Sequence, residues 1–453
     1  MVSLSAWQSY LYQCSHDYDR NFYMNEILIK SGQVINPLVK IVEKLDIAIK
    51  DGIVVGVGNN ANVLENPKII DASDSYVSPG LIDLAVRFRE PGLEQEATVE
   101  KESLAAISSG VTTVCYMPDT QPVIDTPGQV KLVQNIFNQS SDCKVYPLAA
   151  LTRNLNGDQL SSMMELRQAG AIGVTNCLYP MKTPLVLRRA MEYAAGQDLI
   201  FFYQPLNHSL SNNGCAHEGK VATRLGLTGI PSAAEASAVA EAIELMKLTN
   251  VKLHLCRISS FDSLSLILDA QKSGLDISFD IAIHQLFFTE ESLNGYNTMA
   301  HVQPPYRTEE DLTKLRDALE IGRNNMAICS DHQPHNQDAK KAPFPETQSG
   351  ISTIQLLLPL LLEIVNDGIS DLPSAISKVT YDPAKILGLN SGIIKEGLDA
   401  DICIFRKNKW KFTIDKNLSS GENSPFFGKE FNNQVEKTIC RGKIVFDTNE
   451  SNL

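Results

Sequence analysis

The order of apolar and polar positions divides the chain into three parts. Residues 24–76 contain short runs in which apolar residues alternate or cluster between Gly- and Asn-rich turns, a pattern typical of β-strands. These runs read "EILIK", "KLDIAIKDGIVVGVG" and "KIIDAS". From Asn390 the pattern returns in "DADICIF", "WKFTID" and "TICRGKIVF". We therefore predict one small composite β-sandwich formed by residues 24–76 and 390–453.

Residues 77–389 follow a different pattern, in which short apolar runs alternate with longer helical segments. Eight strands spaced by helices indicate an α/β fold, a (β/α)8 TIM barrel. Parallel strands that are buried on both faces should be nearly continuous in apolar residues, as these are. The runs are "YVSPGLIDLAV", "VTTVCYMP", "KVYPLAAL", "GAIGVTN", "LIFFYQP", "VKLHLCRIS", "LDISFDIAI" and "NMAICSD".

The first 23 residues fit neither pattern. They hold one tryptophan and four tyrosines without a clean period. They also lack the basic start and apolar core of a signal peptide. Two interpretations stay open: an extension that docks loosely on the protein, or an upstream start codon with Met24 as the true first residue. Mass spectrometry of the N-terminus of the purified protein decides between them.

Composition narrows the class of protein. A chain of 453 residues suits a large barrel with a small extra domain. The net charge of -13 argues against nucleic acid or an anionic membrane as partner, because both require clustered Lys and Arg. No apolar run reaches the ~20 residues of a membrane span, and the most apolar stretch, Ile354 to Val365, predicts a buried helix. Nine scattered cysteines predict free thiols in a reducing cytoplasm.

Several longer motifs occur in order along the chain. They are "PGLIDLAVRFREPG" (79–92), "GVTTVCYMPDTQPVID" (110–125), "HEGKVATRLGLTGIPSAAEA" (217–236), "HLCRISS" (254–260), "QPPYRTEEDL" (303–312), "CSDHQPH" (329–335), "GLDADICIF" (397–405) and "PFFGKEF" (425–431). Together they closely resemble the dihydroorotase and allantoinase branch of the amidohydrolases, over essentially everything after Met24. The resemblance implies a barrel of the metallo-dependent hydrolase type, with its chemistry at the C-terminal ends of the strands.

The resemblance also implies one or two zinc ions, held by four histidines, a bridging carboxylate and an aspartate. The matching positions of this chain are Ala85, Arg87, Asn176 with its neighbour Cys177, Gln204, Arg257 and Asp331. All four histidines are therefore replaced. Alanine has no ligand atom, and arginine has no free lone pair and stays charged. Only the aspartate remains, as Asp331.

The charge of the replacing residues decides the expected state of the centre. Two cations at ligand positions would repel a divalent metal, so we predict neither zinc nor another cofactor. We hypothesise that Arg87 or Arg257, or both, form salt bridges with Asp331, because a buried unpaired charge is costly. Asp331 would be the general base of an active relative and is here predicted to be vestigial, so no catalytic residue is expected.

The residues that match the substrate groups of active relatives are mixed. The resemblance implies that Arg89 grips a substrate carboxylate, whereas Asp119, in place of an asparagine, would repel it. A second asparagine position holds Gln303, and the substrate-loop histidine is present as His335. His254 lies three positions before Arg257, and strand alternation predicts that it points away from the centre.

Three functions are compatible with these residues. The first is a non-catalytic structural or regulatory subunit that assembles with the aspartate carbamoyltransferase catalytic chain in pyrimidine biosynthesis, as a hetero- or homo-oligomer. That partner is implied by the resemblance alone. The second is an active dihydroorotase or related cyclic amidohydrolase with an atypical metal site. The third is a small-anion sensor in which Arg87, Arg89 and Arg257 bind a carboxylate or phosphate.

Overall fold

The N-terminal part of the protein is a group of five strands. The computed structural model describes residues 26–320 and 325–448, so the predicted extension of residues 1–23 and the question of Met24 lie outside the described residues. The strands are β1 (Glu26–Asn36), β2 (Ile41–Lys50), β3 (Ile53–Val57), β4 (Lys68–Asp71) and β5 (Tyr76–Pro79). β2 pairs antiparallel with both β1 and β3, whereas β4 and β5 each pair parallel with β1.

The next ten strands include the eight of the barrel. They are β6 (Leu81–Val86), β7 (Val111–Tyr116), β8 (Lys144–Ala150), β9 (Gly173–Thr175), β10 (Ile200–Tyr203), β11 (Ala216–His217), β12 (Gly229–Ile230), β13 (Lys252–Leu255), β14 (Ser278–Ala282) and β15 (Met326–Cys329). β11 and β12 pair with each other, and the other eight form one parallel sheet in chain order. A bridge between Val86 and His332 brings the last strand beside the first. The predicted (β/α)8 barrel is confirmed.

Helices follow most of the barrel strands. They are α1 (Val99–Ser108), α2 (Pro127–Ser140), α3 (Met163–Ala169), α4 (Pro184–Gly196), α5 (His208–Ser211), α6 (Lys220–Leu225), α7 (Ser232–Thr249), α8 (Phe261–Lys272), α9 (Glu309–Glu320), α10 (Leu357–Asn366), α11 (Leu372–Ser377) and α12 (Tyr381–Leu387). Side-chain caps mark the starts of some of them: the Thr98 hydroxyl accepts the Lys101 N–H of α1, and the Ser260 hydroxyl accepts the Ser263 N–H of α8. The apolar run predicted as a buried helix is largely α10. Within the described ranges, no helix is long and apolar enough to cross a membrane.

The C-terminal strands join the N-terminal ones. They are β16 (Ile402–Lys411), β17 (Glu430–Cys440) and β18 (Lys443–Asp447), paired antiparallel in sequence. β16 pairs antiparallel with β5, with Ile402 opposite Pro79, so both ends of the chain contribute to one eight-stranded sheet. Its core is rich in isoleucine, including Ile29, Ile47 and Ile439. A composite β-sandwich was expected here; the β-rich domain is confirmed, and its strands belong to one sheet.

The run from Tyr76 to Val86, predicted as one strand, consists of two. β5 belongs to the composite sheet and β6 to the barrel, and Gly80 lies between them. A Cβ at Gly80 would lie 2.3 Å from Thr112 Oγ1, so a side chain there would clash with the start of β7. The close approach explains why glycine stands where the chain passes from sheet to barrel.

The inside of the barrel carries more polar groups than its apolar strands predict. On β6, β13 and β14 the inward positions hold Asp83, His254 and Asp280, all with no exposed surface. Thiols fill neighbouring positions, and the Cys329 thiol donates to Asp280 Oδ1 at 3.4 Å. The eight cysteines in the described part of the chain are all free and buried.

Candidate functional site

The residues at the C-terminal end of β6 point into the barrel mouth because alternation places Asp83, Ala85 and Arg87 on one face. Arg87 is 6% exposed. Its Nε donates to Asp119 Oδ2 at 2.7 Å, and its Nη1 lies 3.7 Å from Asp331 Oδ1. Arg87 therefore joins two carboxylates that come from different loops.

Arg257, after the end of β13, completes the same cluster. It is 2% exposed, and its Nε donates to Gln204 Oε1 at 2.6 Å and lies 3.7 Å from Asp331 Oδ1. The hypothesis that arginines pair with Asp331 is confirmed for both Arg87 and Arg257. Three residues at lost ligand positions thus form one group with the retained Asp331 through hydrogen bonds and ion pairs. They are Arg87, Gln204 and Arg257.

The charges in this cluster stabilise one another. Burial alone would lower the pKa of Arg87, but the carboxylates of Asp119 and Asp331 outweigh it and the pKa is raised. Burial likewise raises the pKa of Asp119, and Arg87 then lowers it below its ordinary value. Both groups stay ionised because each supplies the counter-charge of the other.

Asp119 differs from its expected role. It was predicted to face a substrate carboxylate and repel it, but its side chain is bonded to Arg87 instead. The resemblance implies separate roles for the two positions, a metal ligand at position 87 and a substrate group at position 119. The arginine at one position and the acid at the other compensate each other.

The position expected to hold the bridging carboxylate requires a correction. Asn176 does not face the cluster: its amide donates to the backbone oxygens of Leu155 and Tyr179, and its Oδ1 accepts from the Thr152 hydroxyl. Cys177 faces the interior instead, because its φ of 51° turns the chain at the end of β9. Burial raises the pKa of the Cys177 thiol, so it is a neutral thiol next to two guanidiniums.

Arg89 and His335 form a second group nearer the mouth. Arg89 Nε donates to the Pro334 carbonyl at 3.1 Å, and its Nη2 lies 2.9 Å from His335 Nε2. Glu96 lies 3.7 Å from Arg89 and 3.1 Å from His335 Nδ1, so the cation already has a carboxylate partner. Burial and the nearby Arg87 lower the pKa of Arg89.

Gln303 stands apart from both groups. It is half-buried and precedes the cis peptide bond to Pro304. Within residues 26–320 and 325–448, its side chain makes no hydrogen bond to Arg89, His335 or Asp119. The four predicted pocket residues are therefore not joined in one network.

The prediction for His254 is wrong. Its ring lies inside the barrel, with Nε2 2.9 Å from Asp280 Oδ2 and Nδ1 2.9 Å from Ser278 Oγ. Both His254 and Arg257 point inward because β13 ends at Leu255 and Arg257 has a φ of 50°, which ends the alternation. Asp280 links His254 to Arg257, because its other carboxylate oxygen accepts the Arg257 N–H at 2.6 Å.

His284 was not predicted as part of the site. Its Nε2 lies 3.8 Å from Asp331 Oδ2, and its ring packs edge-on against Tyr306. β14 ends at Ala282 and His284 lies in the 3-10 turn that follows, so strand alternation gives no signal for this residue. Both ring nitrogens of His284 are buried without a hydrogen-bond partner in the described structure.

The residues at the centre do not fit zinc. Of the four positions where the resemblance places histidines, Ala85 has only a methyl group, Arg87 and Arg257 are cations, and the Gln204 oxygen is bonded to Arg257. Four converging lone pairs are needed, and guanidiniums offer none. Asp331 already faces both cations.

A different group of residues has the composition of a metal site but not its chemistry. Among the described residues, His254, Cys256 and Asp280 have ligand atoms within 4.8 Å of one another. Both nitrogens of His254 are already hydrogen bonded, and Asp280 Oδ1 accepts the Arg257 N–H at 2.6 Å. Burial also raises the pKa of Cys256 and keeps it a thiol. The group is a buried hydrogen-bond network.

Asp83, below the cluster, gives a testable pH dependence. Burial raises its pKa from 3.8 to about 7. Because the folded protein then holds this proton more tightly than the unfolded chain, its contribution to stability falls as pH rises from 3.8 to about 7. The Asp83→Asn variant mimics the protonated side chain. We expect wild type to lose about 3–5 kcal/mol relative to it over this range, measured by urea unfolding at several pH values. Parallel pH profiles of the two proteins would contradict the assignment.

The barrel and its composite sheet define a class. The fold is similar to that of L-hydantoinase (dihydropyrimidinase) from Arthrobacter aurescens, with a TM-score of 0.86, 22% identity, and coverage of 95% of this chain and 98% of that one. D-hydantoinase is also similar, with a TM-score of 0.79, 20% identity, and coverage of 93% and 95%. The protein therefore shares the fold of these hydantoinases, a TIM barrel with a β-rich domain.

Sequence relatives identify the family. A family model described as dihydro-orotase-like matches residues 75–263. The "Dihydroorotase-like protein" of Pseudomonas aeruginosa is 38% identical over 421 residues, 93% of this chain and 99% of the relative. The "Dihydroorotase" of Geobacter metallireducens is 36% identical over 421 residues, with coverage of 93% and 99%. The chain belongs to the dihydroorotase-like family.

Proposed function

We propose that this protein is a dihydroorotase homologue without hydrolytic activity that acts as a structural or regulatory subunit. The observation that carries the proposal is the pairing of Arg87 and Arg257 with Asp331. A general base must be free to take a proton from an activated water. Here the only retained acid of the expected set faces two buried guanidiniums.

The aspartate carbamoyltransferase catalytic chain is our proposed partner, in pyrimidine biosynthesis and in the cytoplasm. The resemblance stated above supports it, and relatives named "Dihydroorotase-like protein" in two Pseudomonas species are compatible with it. The eight cysteines in residues 26–320 and 325–448 are free and buried, which supports a reducing compartment. Ion pairs fill the centre of the barrel, and its outer surface stays available for binding to another chain.

Metal content and turnover test the loss of activity. We expect purified protein to contain far less than one zinc per chain and to show no turnover of dihydroorotate or carbamoyl aspartate, with an active dihydroorotase as positive control. Stoichiometric zinc with turnover in either direction would establish the alternative, an active cyclic amidohydrolase with an atypical metal site. That alternative has support from relatives named "Dihydroorotase".

Co-expression tests the partner. We expect the chain to co-purify in a mixed oligomer with the aspartate carbamoyltransferase catalytic chain of the same organism, and that chain to lose activity when this one is absent. Separate elution of the two chains, with full carbamoyltransferase activity of the catalytic chain alone, would refute the partner without affecting the metal and turnover result.

The small-anion sensor has less support from the geometry. Arg87 and Arg257 are paired with acidic groups inside the barrel, and Arg89 is paired with Glu96. An added anion would have to compete with these carboxylates for every guanidinium. A thermal shift with carbamoyl aspartate or dihydroorotate measures whether it does.

A further inference from the structure

A segment of the C-terminal part of the chain lies across the loops at the barrel mouth. Residues 417–424, here called the strap, form the middle of the irregular connection between β16 and β17. Ser419 and Asn423 are buried although they belong to a loop. Glu422 of the strap, with Ile414 and Phe427 on either side of it in the chain, helps to line a surface groove of about 820 Å³. The strap is thus open to solvent at Glu422.

Glu102 of α1 holds the strap at one end. It has no exposed surface and accepts hydrogen bonds from Ser419 Oγ at 2.6 Å and Ser420 N at 2.7 Å. The same carboxylate lies 2.8 Å from His332 Nε2. His332 Nδ1 accepts the Thr353 N–H, so Nε2 carries the proton that is donated to Glu102. One buried carboxylate therefore bonds the strap and the loop after β15.

The loop that Glu102 reaches carries the ion-paired cluster. His332 follows Asp331 directly, its N–H donates to the Ala85 carbonyl, and its carbonyl accepts the Arg87 N–H at 3.0 Å. The path from the strap through Glu102 and His332 thus leads to the backbone of both Arg87 and Asp331.

The other end of the strap is bonded to the second group at the mouth. Asn423 Oδ1 accepts the His335 N–H at 2.8 Å, and the Glu422 N–H donates to the His335 carbonyl at 2.9 Å. Asn423 Nδ2 also donates to the Gln333 and Gly350 carbonyls. His335 is the residue that contacts Arg89.

Close packing at Gly421 leaves the strap no room to shift while it stays closed. A Cβ at this position would lie 2.8 Å from the Cβ atoms of both Pro334 and Ser352. The backbone fixes the positions of these Cβ atoms, so no change of rotamer moves them away. The strap backbone is therefore in direct contact with the loops that it covers.

We propose that the strap is a latch. Its closure and the arrangement of Arg87, Asp331 and His335 change together, as one cooperative unit. Opening the strap breaks the bonds that fix His332 and His335 from outside, and so releases the loop that carries Asp331. A ligand or protein that binds to the strap would thereby change the arrangement of residues at the centre of the barrel. It is independent of the proposed function, since it concerns this chain alone.

Hydrogen–deuterium exchange on Gly421→Ala tests the latch. We expect exchange to rise about tenfold in peptides that cover both 417–424 and 331–335, because the added methyl group lifts the strap. The matched control is Gly196→Ala, where nothing lies within 4 Å of the added Cβ and neither segment should change. Faster exchange in the strap with an unchanged 331–335 segment would overturn the coupling.

Two further variants keep the proposal testable if Gly421→Ala does not fold. Glu102→Gln should raise exchange in both segments, whereas Glu100→Gln, exposed on the same helix, should change neither. Coupling between two elements is reciprocal, so Asp331→Asn should raise exchange in the strap. A merely local role for Glu102 would leave the strap unaffected by Asp331→Asn, and that result would refute the latch. None of these measurements involves metal, turnover or a partner.

Discussion

Replacing Asp331 with alanine is expected to lower the free energy of unfolding by about 3–5 kcal/mol, because it leaves a buried cation without its counter-charge. Arg257 is 2% exposed and has Asp331 as its carboxylate partner within 4 Å. Arg87 is less affected, since it keeps its bond to Asp119. Denaturant unfolding followed by circular dichroism measures the change.

Two controls separate this effect from simple truncation. Asp338→Ala removes an exposed aspartate paired with Lys341, so no measurable change is expected. Adding Arg257→Met to Asp331→Ala removes the uncompensated cation and should recover part of the loss, with a coupling of about 1–3 kcal/mol. Equal costs for Asp331→Ala and Asp338→Ala would mean that the arginine pairs do not stabilise the barrel centre.

Replacing Glu235 with alanine should cost a similar amount, about 3–5 kcal/mol, because it also leaves a buried cation without its counter-charge. Glu235 of α7 is 2% exposed and accepts hydrogen bonds from the backbone and hydroxyl groups of Ser259 and Ser260. It also lies 3.6 Å from the buried Arg307. The variant therefore leaves the Arg307 cation without its carboxylate partner. It also leaves several donors of Ser259 and Ser260, which follow Arg257 closely in the chain, without an acceptor.

The control for Glu235 lies on the same helix. Glu244→Ala removes an exposed carboxylate that pairs with Lys247 one turn away, and it should have little effect. The cost of Glu235→Ala should persist at high salt, because buried pairs are screened weakly. A large effect of Glu244→Ala, or loss of the Glu235 effect in salt, would contradict the buried network as its source.

The fold could be predicted from sequence because its signals are local. Eight apolar runs of similar length, each followed by a helical pattern, indicate the barrel without any knowledge of contacts. Gly80 shows the limit: one continuous apolar run crosses from sheet to barrel at a glycine that touches Thr112. Only the packing of two distant segments distinguishes one strand from two.

The site was predicted less completely because its geometry depends on strand ends. Ala85 and Arg87 were placed correctly on one face, since they continue a regular strand. Cys177 and Arg257 have left-handed backbone angles where their strands stop, and alternation no longer applies there. The bond between Arg87 and Asp119 joins residues 32 positions apart, and no local pattern encodes it.

The pairing of β5 with β16 has a consequence for synthesis on the ribosome. Tyr76 to Pro79 leave the exit tunnel early, but their neighbours Ile402 to Phe405 follow only after more than three hundred residues. Until then one side of β5 carries unpaired backbone groups, and such an edge invites association with other nascent chains. The composite sheet therefore stays incomplete until after all the strands of the barrel have been synthesised.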